Sequence, residues 1–227
     1  MDRGNLIIHP ENLNESIRGL SNFDFNFSNK TCAIVGSSPN ILKTGYGKDI
    51  DSHDIVVRCN FALTNGFEKD AGSKTTHRFM SRSTFSGSRN SKDFSSYDSD
   101  FLHKVFNEHF IIRTGGDSHM NWAQKHVEEK YSNTTNKIDF LTESFQNHVQ
   151  SQINGEPSAG FTAMMFMICF FDTISIYGFD HHGGISGKES LHYYEKTNVK
   201  TGVVHNFAGE KEIFKVLEKR GVLKTYE

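Results

Sequence analysis

The sequence has little cysteine, little proline and no excess of charge of either sign. Its 227 residues include 3 Cys and 3 Pro, and the formal net charge is −2 at pH 7. Three cysteines cannot form a closed set of disulfides, and their spacing does not match a zinc-binding pattern. The balanced charge gives no basic field that would favour nucleic acid or an acidic membrane surface. We therefore expect no nucleic acid among the partners.

Long hydrophobic runs are also missing. The longest apolar run covers residues 161–171, whereas a helix that crosses a bilayer needs about 20 apolar residues. The first residues, MDRGN, are polar, so the chain as given begins without an apolar signal segment. We expect a soluble chain with no membrane segment.

What the chain does contain is a series of short apolar segments that end in Gly or Asn, which is typical of buried strands. These alternate with helical patterns, which predicts an α/β fold with α/β/α layers. The length fits one domain, so we predict a polar lead segment over residues 1–30, with one short helix, and a single domain over 31–227. The predicted strands lie near residues 31–36, 53–60, 76–80, 109–116, 137–142 and 173–180, and the predicted helices near residues 118–135, 157–171 and 209–221.

Two of these elements carry further detail. The helix at 157–171 has Pro157 in its first turn and Ser158 as its cap, which are favourable residues at those places. The last helix is amphipathic, with Ile213, Val216 and Leu217 on its apolar side and Gly221 at its end.

Small and polar residues follow the predicted strands, where ligands of open α/β sheets bind. Gly36, Ser37 and Ser38 form a turn whose N–H groups could approach an anion, although tight strand exits often use Gly and Ser for shape alone. Asn60 could donate to a phosphate or ribose oxygen, or simply form a turn. Ser158, Ala159 and Gly160 begin a helix, and their N–H groups could bind an acceptor-rich ligand or merely cap the helix.

Histidines are the candidates for proton transfer, because imidazole titrates near neutral pH. We single out His192 in HYYE and His205 in HNFAGE. His181 and His182 could join His192 and Glu195 in a metal site, but no pair has the spacing that places two ligands on one helix face. We expect no metal and no other cofactor.

Together these segments resemble the animal-type sialyltransferases, glycosyltransferase family 29. Residues 32–80, from CAIVGSSPN through GYGKDIDSHD to GFEKDAGSKTTHRFM, resemble the large sialylmotif of that family. Residues 157–180, PSAGFTAMMFMICFFDTISIYGFD, resemble the small sialylmotif. HYYE resembles the third motif, and His205 with Glu210 matches the very short H-x4-E motif.

The resemblance implies a variant of the GT-A-like, nucleotide-binding glycosyltransferase fold. It implies transfer of sialic acid from CMP-sialic acid to a glycan hydroxyl, with inversion and without a metal. In this scheme His205 is the general base and His192 steadies the phosphate. Glu195 and Glu210 organise structure. The residues that bind the donor are Gly36, Ser37, Ser38, Asn60, Ser158, Ala159, Gly160 and Tyr193.

The sequence departs from the family pattern at several positions. Ser37 and Pro39 stand where Asn and Gly are common, and Ala159 replaces a Ser or Thr. The family's disulfide would join Cys32 to a cysteine at position 171, which is Phe here. Because Cys169 lies two residues earlier along a predicted helix, we expect no bridge from Cys32 to Cys169. The location is therefore open between a cytoplasmic protein of microbial, algal or viral origin and a trimmed Golgi-lumen domain.

Three readings of function follow. The first is the sialyltransferase, with a close variant that uses CMP-Kdn or CMP-Kdo as donor. The second is a binding module that keeps the CMP pocket and has lost turnover. A dinucleotide-binding oxidoreductase is disfavoured because GSSPNI lacks the glycines of that fingerprint.

Overall fold

The computed structural model of the protein describes residues 17–19, 27–85, 105–114, 117–180, 192–194 and 205–226. These residues form an eight-stranded sheet with helices packed on both faces. The strands are β1 (Ile17–Gly19), β2 (Cys32–Val35), β3 (Ile55–Cys59), β4 (His77–Ser81), β5 (His109–Arg113), β6 (Lys137–Leu141), β7 (Ile174–Tyr177) and β8 (Leu223–Tyr226). The helices are α1 (Gly47–Ser52), α2 (Glu68–Ala71), α3 (Arg82–Phe85), α4 (Asp117–Lys130), α5 (Glu143–Ile153), α6 (Ala159–Met167) and α7 (Phe207–Lys219), with a 3-10 turn at Pro39–Ile41.

The order of the strands places β2 in the interior of the sheet, between β3 and β7. The sheet runs β1-β6-β5-β4-β3-β2-β7-β8, with β2 to β8 parallel and β1 antiparallel to β6. From β2 the chain moves outward through β3 to β6, then returns to the other side of β2 for β7 and β8. Such a reversal opens a crevice at the carboxyl ends of the strands, which is where ligands of these sheets bind. The predicted α/β fold with α/β/α layers is confirmed.

The two faces of the sheet bury different sets of side chains, because alternate residues of a strand point to opposite faces. On one face, Ile34, Val57 and Ile111 pack with α5, α6 and α7 in the largest core cluster. The opposite face carries two smaller clusters, one against α1 and α2 and the other against α4. Helix α6 lies over the sheet with seven consecutive buried residues, 161–167, which explains its uniformly apolar sequence.

The structure corrects several predicted elements. No helix was predicted in residues 37–50, yet they contain the 3-10 turn and the first residues of α1, and α2 was not predicted either. Helix α5 was not predicted. In α7 the apolar side is formed by Phe214 and Leu217 together with the predicted Ile213, while Val216 is 38% exposed. Of residues 1–30, where a short helix was expected, the structure describes Ile17–Gly19, which are a strand, and residues 27–30, which are not helical. The remaining residues of that segment lie outside the described part of the chain.

All three cysteines are free and buried. Burial in apolar surroundings raises the pKa of the Cys59 thiol to about 12 and that of Cys32 further still, so both thiols stay protonated and unreactive. Helix α6 ends at Met167, so Cys169 follows the helix rather than belonging to it. Among the described residues, no helix has the length and hydrophobicity needed to cross a membrane.

Candidate functional site

The turn after β2 is tied to the end of β7. Gly36 donates its N–H to the Tyr177 carbonyl (2.7 Å), and Ser38 donates to the Gly178 carbonyl (3.0 Å). A Cβ atom at Gly36 would lie 2.8 Å from the Phe179 ring and closer still to the Gly178 carbonyl, so the close approach of the two strand ends requires glycine. Ser37 is the member of the turn whose N–H bonds to none of the described residues.

The segment that contains His192 and Tyr193 docks on this turn. Tyr193 donates its N–H to the Ser37 carbonyl (2.9 Å) and its hydroxyl to the Leu63 carbonyl. Burial raises the pKa of the Tyr193 hydroxyl, so it remains a donor. The His192 ring stacks on Tyr194 with ring centres 5.2 Å apart. The structure therefore brings His192 and Tyr193 to the Gly36–Ser38 turn, whereas His181, His182 and Glu195 lie outside the described residues.

Asn60 follows β3 at the same edge of the sheet. Its backbone is left-handed (φ 48°), a conformation that Asn tolerates better than most residues. Its side-chain Oδ1 accepts from the Ser81 N–H (3.1 Å), and its carbonyl accepts from Arg78 (2.9 Å). These bonds fix the amide and leave its Nδ2 group as a half-buried donor.

Helix α6 begins at the carboxyl edge with Ser158 as its cap. The Ser158 hydroxyl accepts from the Phe161 N–H (3.1 Å), as predicted for a cap, and donates to Glu210 (2.8 Å). The Ser158 N–H also donates to Glu210 (2.6 Å). Both donors of Ser158, its N–H and its hydroxyl, are therefore bonded to Glu210. The N–H groups of Ala159 and Gly160 are left as the donors without an intrahelical partner at this helix start.

Glu210, in the first turn of α7, holds the start of α6 through these bonds to Ser158. The residue is 5% exposed, and burial raises the pKa of its carboxyl to about 7, against the opposing effects of the Ser158 hydrogen bonds and the charge of Arg113. The carboxyl therefore titrates near neutral pH while it holds Ser158. A carboxyl with such a pKa can lock or loosen a helix start as the pH changes.

His205 lies just before α7 and beside the segment that leads into α6. It forms a parallel β-bridge with Glu156, and the next residue, Asn206, donates its N–H to the Glu156 carbonyl (3.1 Å). The Asn206 side chain caps α7 by accepting from the Gly209 N–H (3.1 Å). These bonds fix the backbone at His205 and in the residues that follow it.

Arg113 is a residue that the sequence reasoning missed. It ends β5, donates to the Pro157 carbonyl (2.9 Å) and forms an ion pair with Glu156. An arginine at the end of an otherwise apolar strand was the signal that could have found it. A small pocket opens between the ends of β4 and β5 and the start of α6, lined by Phe79, Met80, Ser81, Arg113, Ala159 and Thr162.

The sequence contains two Asp-x-Asp triplets, at residues 49–51 and 98–100, and carboxylates at such spacing can bind divalent ions. Asp51 is instead occupied by the N–H groups of Ser73 and Lys74 and by the Ser73 hydroxyl, which lower the pKa of its carboxyl. Residues 98–100 lie outside the described residues. Within the described part of the chain, no group of three His, Cys, Asp or Glu side chains could hold a metal ion.

Comparison with known proteins assigns the chain. The family model of glycosyltransferase family 29 (sialyltransferase) matches residues 11–222. The chain belongs to glycosyltransferase family 29. It is 32% identical over 182 residues to the CMP-N-acetylneuraminate-beta-galactosamide-alpha-2,3-sialyltransferase 1 of Gallus gallus, covering 78% of this chain and 50% of that protein. The enzyme of the same name from Sus scrofa is 29% identical over 239 residues, covering 96% of this chain and 67% of that protein.

A solved structure of the family shares the fold. The crystal structure of a mammalian sialyltransferase in complex with Gal-beta-1-3GalNAc-ortho-nitrophenol superposes with a TM-score of 0.64 at 26% identity. The match covers 87% of this family 29 chain and 69% of that chain. The seven parallel strands described above are therefore those of a GT-A-variant sialyltransferase fold, while the chain spans only half to two thirds of the chicken and pig relatives.

Proposed function

We propose that this chain is an inverting, metal-independent glycosyltransferase. It transfers sialic acid from CMP-sialic acid to a hydroxyl group of a galactose-type glycan acceptor. The observation that carries the proposal is that residues of all four motifs lie at the carboxyl edge of the sheet, near the reversal between β2 and β7. The large motif supplies the turns after β2 and β3, and the small motif begins α6. The third motif docks on the turn after β2, and the very short motif leads into α7.

The donor side of this edge offers neutral hydrogen-bond donors. The Nδ2 group of Asn60, the Ser37 N–H and hydroxyl, and His192 on the docked turn suit a phosphate that gains charge as CMP leaves. The orphan N–H groups of Ala159 and Gly160 lie at the positive end of α6, where acceptor-rich groups such as those of cytidine are favoured. Gly36, Ser38, Ser158 and Tyr193 shape this pocket through the bonds described above.

The acceptor side centres on His205. Its imidazole would take the proton of the acceptor hydroxyl as that oxygen attacks C2 of the sialic acid. The bond from C2 to the phosphate oxygen then breaks, and CMP leaves with the electron pair. Attack on the face opposite the leaving CMP gives inversion, and the positioning of the two substrates supplies much of the rate.

The choice of acceptor class is supported by the relatives. Their names describe beta-galactosamide alpha-2,3-sialyltransferases, and the crystal structure holds a Gal-beta-1-3GalNAc derivative. The same pocket would serve CMP-Kdn or CMP-Kdo, because the described contacts are of the kind that hold CMP. The donor sugar is therefore an outcome of the test.

The test measures CMP release from CMP-N-acetylneuraminic acid, CMP-Kdn and CMP-Kdo, with a mixture of galactosides and in EDTA. We expect release from CMP-N-acetylneuraminic acid that persists in EDTA. In His205→Ala we expect kcat to fall by about 100- to 10,000-fold, the range for a general base, with CMP binding retained. His119→Ala, on the exposed side of α4, is the matched control and should keep full activity.

Each other outcome is informative. Release from CMP-Kdo alone would make the chain a transferase for a different acid sugar. CMP binding without release from any donor would support a binding module that has lost turnover. A chain that does not bind CMP would overturn the assignment of the pocket itself.

A further inference from the structure

Arg113 and Glu156 form an ion pair at the carboxyl edge, and the proposed transfer mechanism assigns this pair no role. Arg113 ends β5, and its guanidinium contacts both the Glu156 carboxylate and the Pro157 carbonyl (2.9 Å). The two side chains are 19% and 35% exposed. Pairs this accessible to water contribute little to stability, so stability alone gives no reason for two charges here.

The backbone of Glu156 continues the link to His205. Glu156 and His205 form a parallel β-bridge, and the Glu156 carbonyl accepts the Asn206 N–H (3.1 Å). Asn206 also donates its side-chain amide to the Ile153 carbonyl, at the end of α5. Glu156 thus contacts β5 through its side chain and the His205 segment through its backbone.

The same residue leads into the donor-binding helix. Glu156 precedes Pro157, so its backbone is restricted to extended conformations, and Arg113 holds the carbonyl of that proline. Ser158, the cap of α6, follows at once. The segment 156–158 therefore runs between the start of α6 and the His205 bridge, and Arg113 is the side chain that anchors it to the sheet.

We propose that Arg113 and Glu156 are positioning residues, whose ion pair sets His205 in register with the start of the donor-binding helix α6. This inference rests on the proposed function, in which His205 is the base. A base must lie within hydrogen-bond reach of the hydroxyl proton. Since a displacement of about 1 Å can lower a rate by 100-fold, a tether on the backbone beside His205 controls turnover without touching either substrate.

The experiment compares Arg113→Met, Arg113→Lys and Glu156→Gln with the wild-type chain. We expect Arg113→Met and Glu156→Gln to lower kcat by about 10- to 100-fold, with the KM for the CMP-sugar within about twofold of wild type. Arg113→Lys should recover part of the loss, because it keeps the charge but not the second hydrogen bond. Lys215→Met, which breaks an exposed ion pair with Glu212 on α7 (2.9 Å), is the control and should leave kcat unchanged.

A second comparison separates positioning from a merely structural role. If Arg113 acts through His205, adding Arg113→Met to His205→Ala should cause no further loss, because residues that act as a unit are not additive. A full further loss in the double variant would overturn the proposal. So would an effect confined to the KM of donor or acceptor, which would make the pair a substrate contact.

A readout without turnover keeps this inference separate from the proposed function. If the wild-type chain transfers from no donor, the proposed function fails, and the NMR signals of the His205 ring, assigned with His205→Gln, decide the positioning. Because Glu156 is bridged to His205 through the backbone, Arg113→Met and Glu156→Gln should each shift those signals, whereas Lys215→Met should leave them in place. Ring signals that stay in place in both Arg113→Met and Glu156→Gln would contradict the link.

Discussion

The two edges of the sheet both gather histidines and carboxylates, yet they are built differently. At the amino edge, His109 bonds to the buried Asp139 (2.6 Å), and the His77 ring lies 5.2 Å from the His109 ring and 5.6 Å from the Phe27 ring. At the carboxyl edge, His205 forms a backbone bridge with Glu156, and the buried carboxyl of Glu210 accepts from the Ser158 N–H. The first set is joined by contacts between side chains, whereas backbone groups of Glu156 and Ser158 take part in the contacts of the second.

The two edges also differ in the direction in which burial shifts the pKa of a titratable group. Burial lowers the pKa of His77 to about 3, so that ring stays neutral and serves as a packed, hydrogen-bonded core residue. Burial of Glu210 instead raises a carboxyl pKa to about 7. Stability therefore changes with pH in opposite directions at the two edges, and three experiments test how the two edges differ.

The largest effect should come from Arg78, which joins the two edges. Its buried guanidinium bonds to Glu108 at the amino edge (2.6 Å) and to the carbonyl of Asn60 at the carboxyl edge (2.9 Å). Arg78→Met leaves the Glu108 charge buried without its partner, so we expect a loss of about 3–5 kcal/mol in the free energy of unfolding. Urea unfolding measures this loss, and Arg78→Met with Glu108→Leu should recover much of it. A single variant as stable as wild type would show that the pair is dispensable.

The next effect concerns acid stability at the amino edge. Because the folded pKa of His77 is about 3 and an unfolded histidine titrates near 6.5, the unfolded chain binds more protons between these values. This contribution to stability is complete above about pH 6.5 and is lost as the pH falls, by on the order of 3 kcal/mol. His77→Leu should reduce the slope of unfolding free energy against pH in that window. His119→Leu, an exposed control on α4, should keep the wild-type slope.

The smallest effect concerns the carboxyl edge. The folded pKa of Glu210 is about 7, above the value near 4.5 of an unfolded glutamate, so here the folded chain binds more protons. Its contribution is complete below about pH 4.5 and is lost as the pH rises to 7, by on the order of 2 kcal/mol.

Glu210→Gln imitates the protonated carboxyl and should remove this decline when unfolding is measured from pH 4.5 to 7.5. The control is Glu212→Gln, exposed on the same helix α7. An unchanged slope in Glu210→Gln would show that this carboxyl titrates normally.

Much of the fold could be predicted because its strands are short apolar runs bounded by Gly or Asn. Helix α5 could not, because its buried side chains, Phe145, Val149 and Ile153, recur once per turn among polar residues. That pattern is too sparse to predict a helix, and packing against α6 and α7 decides it. For α7 the apolar side was misjudged by including Val216, since the helix turns Phe214 and the polar Glu210 inward instead.

The candidate site divides in the same way. The cap at Ser158 was predicted because a cap is a local arrangement of neighbouring residues. The bonds of Ser158 to Glu210 join residues 52 positions apart, and the Arg113–Glu156 pair joins residues 43 apart. Such partners follow from the sheet order, which no local pattern contains. The roles of the site residues in turnover stay predictions until the variants above are measured.

The central place of β2 has a consequence for how the protein is made. Asn40 donates to the carbonyl of Phe179, 139 residues later, and β2 pairs with β7 beside it. Since synthesis proceeds from the amino end, β2 emerges long before β7, the strand that pairs with it. Contacts so distant in sequence form slowly, and the edge of β2 that faces β7 stays unpaired in the meantime. A nascent chain therefore cannot close this side of the sheet until residues 174–177 have been made.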